Sequence, residues 1–249
     1  MCLAAVALHQ HPRWRLVLAA NRDEFFARPA SPLAFQSEGW LGGRDLQAGG
    51  SWLALHPLQA RLALVTNVRE PGVPAPPGAV SRGALVTEAL LDDRRWHEGP
   101  DDRPRQGFNL LQLDLRAASG RWFSNRGGPA LLAAAVHGLS NAQLDTPWPK
   151  LLRLKAKLQL ALRGEDLEAA LFDALADDQA AQDEALPATG VPLAWERALS
   201  SAFIRMSGYG TRCSTLVLAS ADTVRVIERR YGEGGAAAGQ TELSFALSG

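Results

Sequence analysis

Residues 1–25 carry the strongest folding signal in the chain and read MCLAAVALHQHPRWRLVLAANRDEF. Two apolar runs, at residues 3–8 and 14–20, flank a short polar turn that contains Pro12. Apolar runs of this length on either side of a turn predict a β-hairpin whose strands are both largely buried. The polar residues 21–24 follow at once. We therefore expect a dense group of polar side chains at the end of the second strand.

The remaining strand and helix signals come in blocks and do not alternate along the chain. That order argues against a doubly wound parallel sheet and favours antiparallel sheets covered by helices on their outer faces. The sequence therefore predicts an α+β fold and, since neither an internal repeat nor a linker is visible, one domain over residues 1–249. Further strands are predicted at residues 52–55, 62–66, 108–115 (with one wetter face), 121–124, 213–220, 223–230 and 241–247, and helices at residues 81–91, 146–163 and 165–176. Thr146 is the predicted N-cap of the second helix, Lys150 lies on its predicted polar face, and residues 92–105 are predicted to be exposed.

The composition excludes several classes of protein. With 26 basic and 26 acidic side chains the formal net charge is zero, so the charge gives no reason to expect nucleic acid or an anionic membrane as a partner. No apolar run reaches the length of a membrane-spanning helix, and the short apolar start is not typical of a signal peptide. The two cysteines do not form a disulfide framework, which fits a reducing compartment. We therefore expect a cytoplasmic protein.

Cys2 has the clearest chemical potential, because removal of Met1 places a thiol and a free α-amine on one residue. An α-amine has a reference pKa of about 7.7–8.0 and can accept the thiol proton near neutral pH. The alternative is that a cysteine at this position has no function. No zinc-site, phosphate-loop or dinucleotide-binding motif offers competing chemistry. His9-x-His11 is more typical of a solvated turn than of a metal site, so we predict no metal.

Four further polar residues stand at the predicted ends of apolar strands: Asp23, Asn67, Asn141 and Arg212. Each can be a turn residue, because Asn and Asp side chains bond readily to nearby backbone. Their chemical types nevertheless complement a cysteine nucleophile. A carboxylate orients a protonated amine, two amides donate to an oxyanion, and an arginine favours a thiolate. Together with Cys2 they are the candidate catalytic residues.

Beyond these single residues, the chain resembles the NRDE family, also called the transport and Golgi organisation protein 2 family. The matching segments run in family order over nearly the whole chain, and together they are highly specific. They are Met1-Cys2, Ala19-Ala20-Asn21-Arg22-Asp23-Glu24-Phe25, Arg28-Pro29, Gly49-Gly50-Ser51-Trp52-Leu53, Thr66-Asn67, Gly107-Phe108-Asn109-Leu110, Ser124-Asn125-Arg126-Gly127, Gly138-Leu139-Ser140-Asn141, Thr146-Pro147-Trp148 and Gly208-Tyr209-Gly210-Thr211-Arg212.

That family is in turn similar to the N-terminal nucleophile hydrolases of the bile-salt hydrolase and penicillin V acylase branch. The resemblance implies an αββα sandwich of two antiparallel sheets flanked by helices. It also implies that Cys2 is the nucleophile and that Asp23 holds its α-amine. The other implied site residues are Asn67 and Asn141 at the oxyanion, Arg212 as an active-site arginine, and Asn21, Arg22, Trp52 and Tyr209 as substrate-binding residues.

One position departs from the hydrolase pattern. These hydrolases place an arginine three residues before the aspartate, where this chain has Ala20. Arg22 is adjacent to Asp23 instead and points to the opposite side of an ideal strand. We therefore expect Arg22 to reach the site only if the backbone leaves the strand at that point.

Two functions follow from the resemblance. The first is a cysteine hydrolase that cleaves C–N bonds other than peptide bonds, acts on a linear amide or N-acyl substrate and requires no cofactor. The alternative is a non-catalytic protein on the same scaffold that binds and traffics haem, an acyl-lipid or acyl-coenzyme A, with haem as a ligand. Covalent c-type haem attachment is excluded, because the chain has no C-x-x-C-H motif.

Overall fold

A computed structural model describes residues 2–247, so the predicted processing of Met1 lies outside the described residues. Within that part of the chain, strands and helices follow one another in separate blocks. The strands are β1 (Cys2–Leu8), β2 (Leu16–Phe25), β3 (Ala34–Phe35), β4 (Leu41–Gly42), β5 (Leu53–His56), β6 (Arg61–Asn67), β7 (Phe108–Asp114), β8 (Ser119–Ser124), β9 (Gly127–Leu132), β10 (Val136–Leu139), β11 (Arg205–Met206), β12 (Tyr209–Ala219), β13 (Thr223–Tyr231) and β14 (Ala237–Ala246). The α-helices are α1 (Ala84–Leu91), α2 (Asp93–Glu98), α3 (Pro149–Ala161), α4 (Leu167–Leu175) and α5 (Leu193–Ala198), and Asp183–Ala185 and Glu233–Gly235 form 3-10 turns.

The first sheet is built around the predicted hairpin. Its order is β10-β1-β2-β12-β13-β14, with β11 paired to β12, and every pairing is antiparallel. Cys2 lies opposite Arg22 and Leu8 opposite Leu16 in the β1–β2 pair. The strand β12 enters late in the chain and pairs with β2 on one side and β13 on the other. The two strands predicted from residues 1–25 are therefore confirmed and lie inside the sheet.

The second sheet takes its strands in chain order, β3-β4-β5-β6-β7-β8-β9, again with antiparallel pairing throughout. Such a meander needs only short connections between neighbouring strands. The long exception joins β6 to β7 and contains a proline-rich loop followed by α1 and α2. This insertion lies beside the end of β6, where Asn67 is the last strand residue.

The two sheets pack face to face over one apolar core. Alternate residues of each strand enter it, as the period of two in a strand requires; examples are Val6, Leu18, Leu62 and Leu113. The opposite face of β1 and β2 packs against α3 and α4, and the outer face of the second sheet packs against α1. The predicted α+β sandwich with helices on both outer faces is confirmed.

Several local predictions are wrong. The helix predicted from Thr146 begins at Pro149, with Trp148 at its N-cap, and Lys150 is buried instead of lying on a polar face. Residues 92–105 are mostly exposed as predicted, but they contain the unpredicted helix α2, whose Trp96 is buried. β7 has no wetter face, because its Gln112 is as buried as its leucines and donates to the Arg95 carbonyl. Strands β3, β4, β9, β10 and β11 and helix α5 were not predicted.

Asp23 and Arg212 do not stand at strand ends. β2 continues past Asp23 to Phe25, and β12 begins at Tyr209 and includes Arg212. The β2–β12 register shifts between Thr211 and Cys213, so Arg212 is the extra residue of a β-bulge. A bulge of this kind cannot be read from alternation, because it interrupts the alternation.

Candidate functional site

A pocket of about 390 Å³ opens between the two sheets. The first sheet supplies Cys2 and Arg22, and the second supplies Val65 and Asn67. The β6–β7 insertion closes one wall with Ala79 and its neighbours. The full lining is Cys2, Arg22, Asp23, Glu24, Arg28, Asp45, Ala48, Ser51, Trp52, Val65, Asn67, Ala75, Ala79, Val80, Ser81, Arg82, Gly83 and Gln106.

Cys2 and Arg22 are direct cross-strand neighbours on the pocket face of the first sheet. The Arg22 guanidinium stacks 4.3 Å from the ring centroid of Trp52, and its Nη2 lies 3.7 Å from Asp45 Oδ2. Residues directly opposite in an antiparallel pair have Cβ atoms roughly 5 Å apart, so a regular strand brings this cation to the cysteine. The expectation that Arg22 needs a departure from the strand is wrong. Arg22 therefore lies beside Cys2 within a regular stretch of β2.

The Cys2 thiol is held in its protonated form by its surroundings. Burial raises the pKa of Cys2, the negative charge of Asp23 raises it further, and Arg22 acts in the opposite direction. A buried thiol with a raised pKa is a poor nucleophile until a base removes its proton. Any reaction at Cys2 therefore needs a proton acceptor close to the sulfur.

Asn67 and Asn141 meet at the end of β6. Asn67 lines the pocket, and Asn141 Nδ2 donates to the Asn67 backbone carbonyl over 3.0 Å. The Asn141 carbonyl in turn accepts from Arg69 N–H over 2.8 Å. These bonds fix the backbone that carries Asn67, so of the two asparagines Asn67 faces the pocket and Asn141 supports it.

Asp23 lies in the pocket wall and belongs also to a buried group of charges. Its Oδ1 accepts from Thr211 Oγ1 over 2.8 Å. Burial raises the pKa of the Asp23 carboxyl, and the charge of Lys150 opposes that rise most strongly. Lys150 is fully buried near the start of α3, and its Nζ has no hydrogen-bond partner among the described residues. Burial lowers the pKa of Lys150 to about 8.

Near these two residues, Arg69 and Glu196 form a buried ion pair with an N–O distance of 2.9 Å. The Glu196 carboxylate also accepts from the backbone N–H and the hydroxyl of Thr189. The Arg69 guanidinium lies 4.8 Å from the Trp148 ring centroid. Charge is thus concentrated below the pocket floor, where Asp23 links the pocket to Lys150.

Four of the predicted site residues lie outside the pocket lining: Asn141, described above, and Asn21, Tyr209 and Arg212. Asn21 is buried and fully bonded, since its Nδ2 donates to two backbone carbonyls and its Oδ1 accepts from Ser214. Tyr209 packs edge-on against Phe25 at a centroid distance of 5.0 Å. Arg212 Nη1 donates to the carbonyls of the turn after β2 and faces a smaller neighbouring cavity of about 130 Å³. Their catalytic and substrate-binding roles stay predictions.

The residues in or under the pocket that were not predicted include two with unusual surroundings, Lys150 and Arg82. The signal for Lys150 was present, because it lies four and eight residues before Leu154 and Leu158 and so shares their buried helix face. Arg82 follows an irregular proline-rich loop with no periodicity. Its place in the pocket depends on how that loop packs, which the local sequence does not encode.

Within residues 2–247, no group of three or more His, Cys, Asp or Glu side chains is arranged to hold a metal ion. In the same part of the chain, no helix has the length and apolar character needed to cross a membrane.

The fold and the site together define an αββα sandwich with a cysteine and an arginine paired in the pocket between its sheets. The family model for Transport and Golgi organisation 2 matches residues 1–233. The chain is 36% identical over 235 residues to the Transport and Golgi organization protein 2 homolog of Bos taurus, covering 84% of this chain and 83% of that protein. For the Homo sapiens homolog the identity is 35% with the same coverage, and for the Drosophila melanogaster protein it is 25% over 254 residues with 89% of each chain covered. The chain belongs to the Transport and Golgi organisation 2 family.

Proposed function

We propose that this protein is a cysteine amidohydrolase of the N-terminal nucleophile type, with Cys2 as nucleophile and a linear amide or N-acyl compound as substrate. The observation that carries the proposal is the Cys2–Arg22 pair, which lines the same pocket as Asn67. A thiol, a neighbouring cation and an amide donor on the opposite wall are the groups that acyl transfer requires.

The first step is activation of the thiol after removal of Met1. The freed α-amine of Cys2 accepts the Sγ proton, because its pKa is close to neutral. Arg22 stabilises the resulting thiolate electrostatically. Asp23 lines the same pocket, and its carboxylate stabilises the positive charge that the α-amine then carries.

The thiolate sulfur next forms a bond to the substrate carbonyl carbon, and the carbonyl oxygen becomes an oxyanion. The Asn67 amide donates to that oxygen. The C–N bond then breaks, and the α-ammonium of Cys2 returns its proton to the leaving amine. Water attacks the thioester with the α-amine again as base, which releases the carboxylic acid and restores the thiol.

The test compares two preparations of the protein released from a cleavable fusion. One begins at Cys2 and the other keeps a glycine before it, so that the Cys2 nitrogen is an amine in the first and an amide in the second. We expect acyl transfer to Cys2, read as a mass increase of the intact protein on incubation with N-acyl amides, in the first preparation only. Cys213→Ala is the matched control, because Cys213 is the other buried cysteine and lies outside this pocket. Equal acylation of both preparations would exclude the α-amine as base.

The second candidate is a carrier of haem, an acyl-lipid or acyl-coenzyme A. The raised pKa of the buried Cys2 thiol favours this carrier function. A thiol with a raised pKa stays protonated and unreactive in molecules whose α-amine is blocked. Titration with haemin, followed at the Soret band in wild type and Cys2→Ala, tests the haem ligand. A spectral shift that Cys2→Ala abolishes would support the carrier, and no shift at micromolar protein would count against it.

A further inference from the structure

Arg82 differs from the other arginines of the pocket in having no carboxylate partner. Arg28 Nε lies 2.7 Å from Asp45 Oδ2 and 3.9 Å from Glu24 Oε2. Arg22 also forms an ion pair with the Asp45 carboxylate. Within residues 2–247, Arg82 forms no ion pair, and its Nη1 donates to the Gly107 carbonyl over 3.2 Å. Its guanidinium therefore keeps donors that no carboxylate of the described chain satisfies.

The carboxylates that line the pocket are already engaged. Asp45 accepts from Arg28 and from the backbone N–H groups of Gln47 and Ala48. Glu24 accepts from the Phe25 N–H. Neither Asp45 nor Glu24 forms an ion pair with Arg82. The lining as a whole is formally balanced, with Arg22, Arg28 and Arg82 against Asp23, Glu24 and Asp45, so Arg82 offers a ligand N–H donors and a local charge but not a net positive pocket.

The backbone that carries Arg82 is held firmly in place. Ser51 N–H donates to the Gly83 carbonyl over 3.2 Å, and Val80 N–H donates to the Pro104 carbonyl over 2.9 Å. Gly50 approaches Gly83 so closely that a Cβ at Gly50 would lie 2.4 Å from the Gly83 carbonyl carbon. Arg82 therefore projects from a fixed point of the pocket rim.

The Arg82 guanidinium also interacts electrostatically with Cys2. Burial lowers the pKa of the Arg82 guanidinium, and negative charge at Cys2 acts most strongly against that shift, followed by Glu24. Both side chains line the same pocket. A small ligand that contacts Arg82 thus lies within electrostatic range of the sulfur.

On the basis of the proposed function, we propose that Arg82 binds a carboxylate of the substrate, which makes the substrate class N-acyl amino acids and related amides with a free carboxylate. A guanidinium presents parallel N–H donors that match a carboxylate in a bidentate arrangement. The bond is charge-assisted and partly shielded from water, so it contributes to orientation as well as to affinity. Arg82 is accordingly a specificity-determining residue.

The test uses two alkylating probes of nearly equal size, iodoacetate and iodoacetamide, which differ in the carboxylate. The rate at which each probe alkylates Cys2 is measured by peptide mass spectrometry. The rate with iodoacetate is divided by the rate with iodoacetamide, and this rate ratio is compared with the same ratio for the thiol of glutathione. We expect a ratio above that of glutathione in wild type and a fall of roughly tenfold in Arg82→Met, the size of one charge-assisted hydrogen bond. Arg82→Lys should restore part of the ratio, and Arg94→Met, at an exposed site outside the pocket, should leave it unchanged.

The readout does not depend on turnover, so the two proposals can fail separately. If the iodoacetate-to-iodoacetamide rate ratio depends on Arg82 but the protein cleaves no N-acyl amide, the hydrolase function is contradicted and the carboxylate site is supported. A ratio within twofold of wild type in a folded Arg82→Met would overturn the carboxylate site. If Arg82→Met does not fold, the Arg82→Lys ratio decides, because a lysine without the guanidinium fork should still lower it.

Discussion

At the scale of single residues, the strongest departure from ordinary protein chemistry is the buried Lys150. A lysine with no hydrogen-bond partner among the described residues is costly to bury in its charged form. The groups that act on its charge come from four elements: Asp23 on β2, Cys2 on β1, Arg69 after β6 and Glu196 on α5. Asp23 favours the charged lysine and Arg69 disfavours it, so Lys150 and Asp23 are coupled.

Lys150→Met should therefore change how stability depends on pH. The folded-state pKa is about 8 and the usual value is 10.5, so between these values the unfolded chain binds more protons than the folded one. Stability contributed by this group hence rises with pH across the window and is lowest below pH 8. We expect the unfolding free energy of wild type, relative to Lys150→Met, to increase by about 2 kcal/mol from pH 7.5 to 10 in urea titrations.

Lys157→Met is the control, because Lys157 lies on the exposed side of the same helix and pairs with Asp177. The unfolding free energy of Lys157→Met relative to wild type should change less over this pH range than that of Lys150→Met, because the Lys157 side chain is exposed. A constant difference for Lys150→Met would show that Lys150 titrates normally.

Asn67→Ala tests the oxyanion donor. Loss of one such donor typically lowers turnover by about 10²–10³, and we expect this fall in the rate constant for acylation with KM little changed. Gln106→Ala removes another amide from the pocket wall and should cost far less. Equal losses in the two variants would argue against a specific oxyanion role for Asn67.

At the scale of elements, the segment leading into α1 is fixed by the close approach of Gly50 and Gly83. We predict that Gly50→Ala destabilises the protein by about 1–3 kcal/mol, because the new Cβ forces this contact apart. The variant should also lower the iodoacetate-to-iodoacetamide ratio at Cys2, since Arg82 moves with its backbone. Gly128→Ala is the matched control, because its Cβ would meet no atom within 4 Å. Thermal melts measure the first effect, and an unchanged melt for Gly50→Ala would contradict it.

The elements also show which features the sequence could predict. The hairpin of β1 and β2 was readable because both runs are apolar and the turn between them is polar. Its register was not readable, and the register decides that Arg22 faces the pocket beside Cys2. Strands of two residues, such as β3 and β4, carry no periodicity at all. Arg212 was misplaced for a further reason, because the bulge in β12 depends on the pairing partner.

At the scale of the whole molecule, the pocket exists because two sheets are held face to face by apolar side chains. Leu62 of β6 is fully buried between them, whereas Leu58 in the preceding turn is 83% exposed. Leu62→Ala should cost about 2–5 kcal/mol of unfolding free energy, and Leu58→Ala less than about 0.5 kcal/mol. Chemical denaturation measures both. Similar costs for the two variants would mean that the sheets are not held by this core.

The placement of β12 has a consequence for the order of events during synthesis. Cys2 is made first, yet the strand that completes its sheet beyond β2 is made after residue 208. Once folded, Cys2 is 8% exposed at the start of β1. The hairpin that brings Arg22 opposite Cys2 can therefore pair while the chain is still growing, whereas the strand that flanks it beyond β2 is added only late in synthesis.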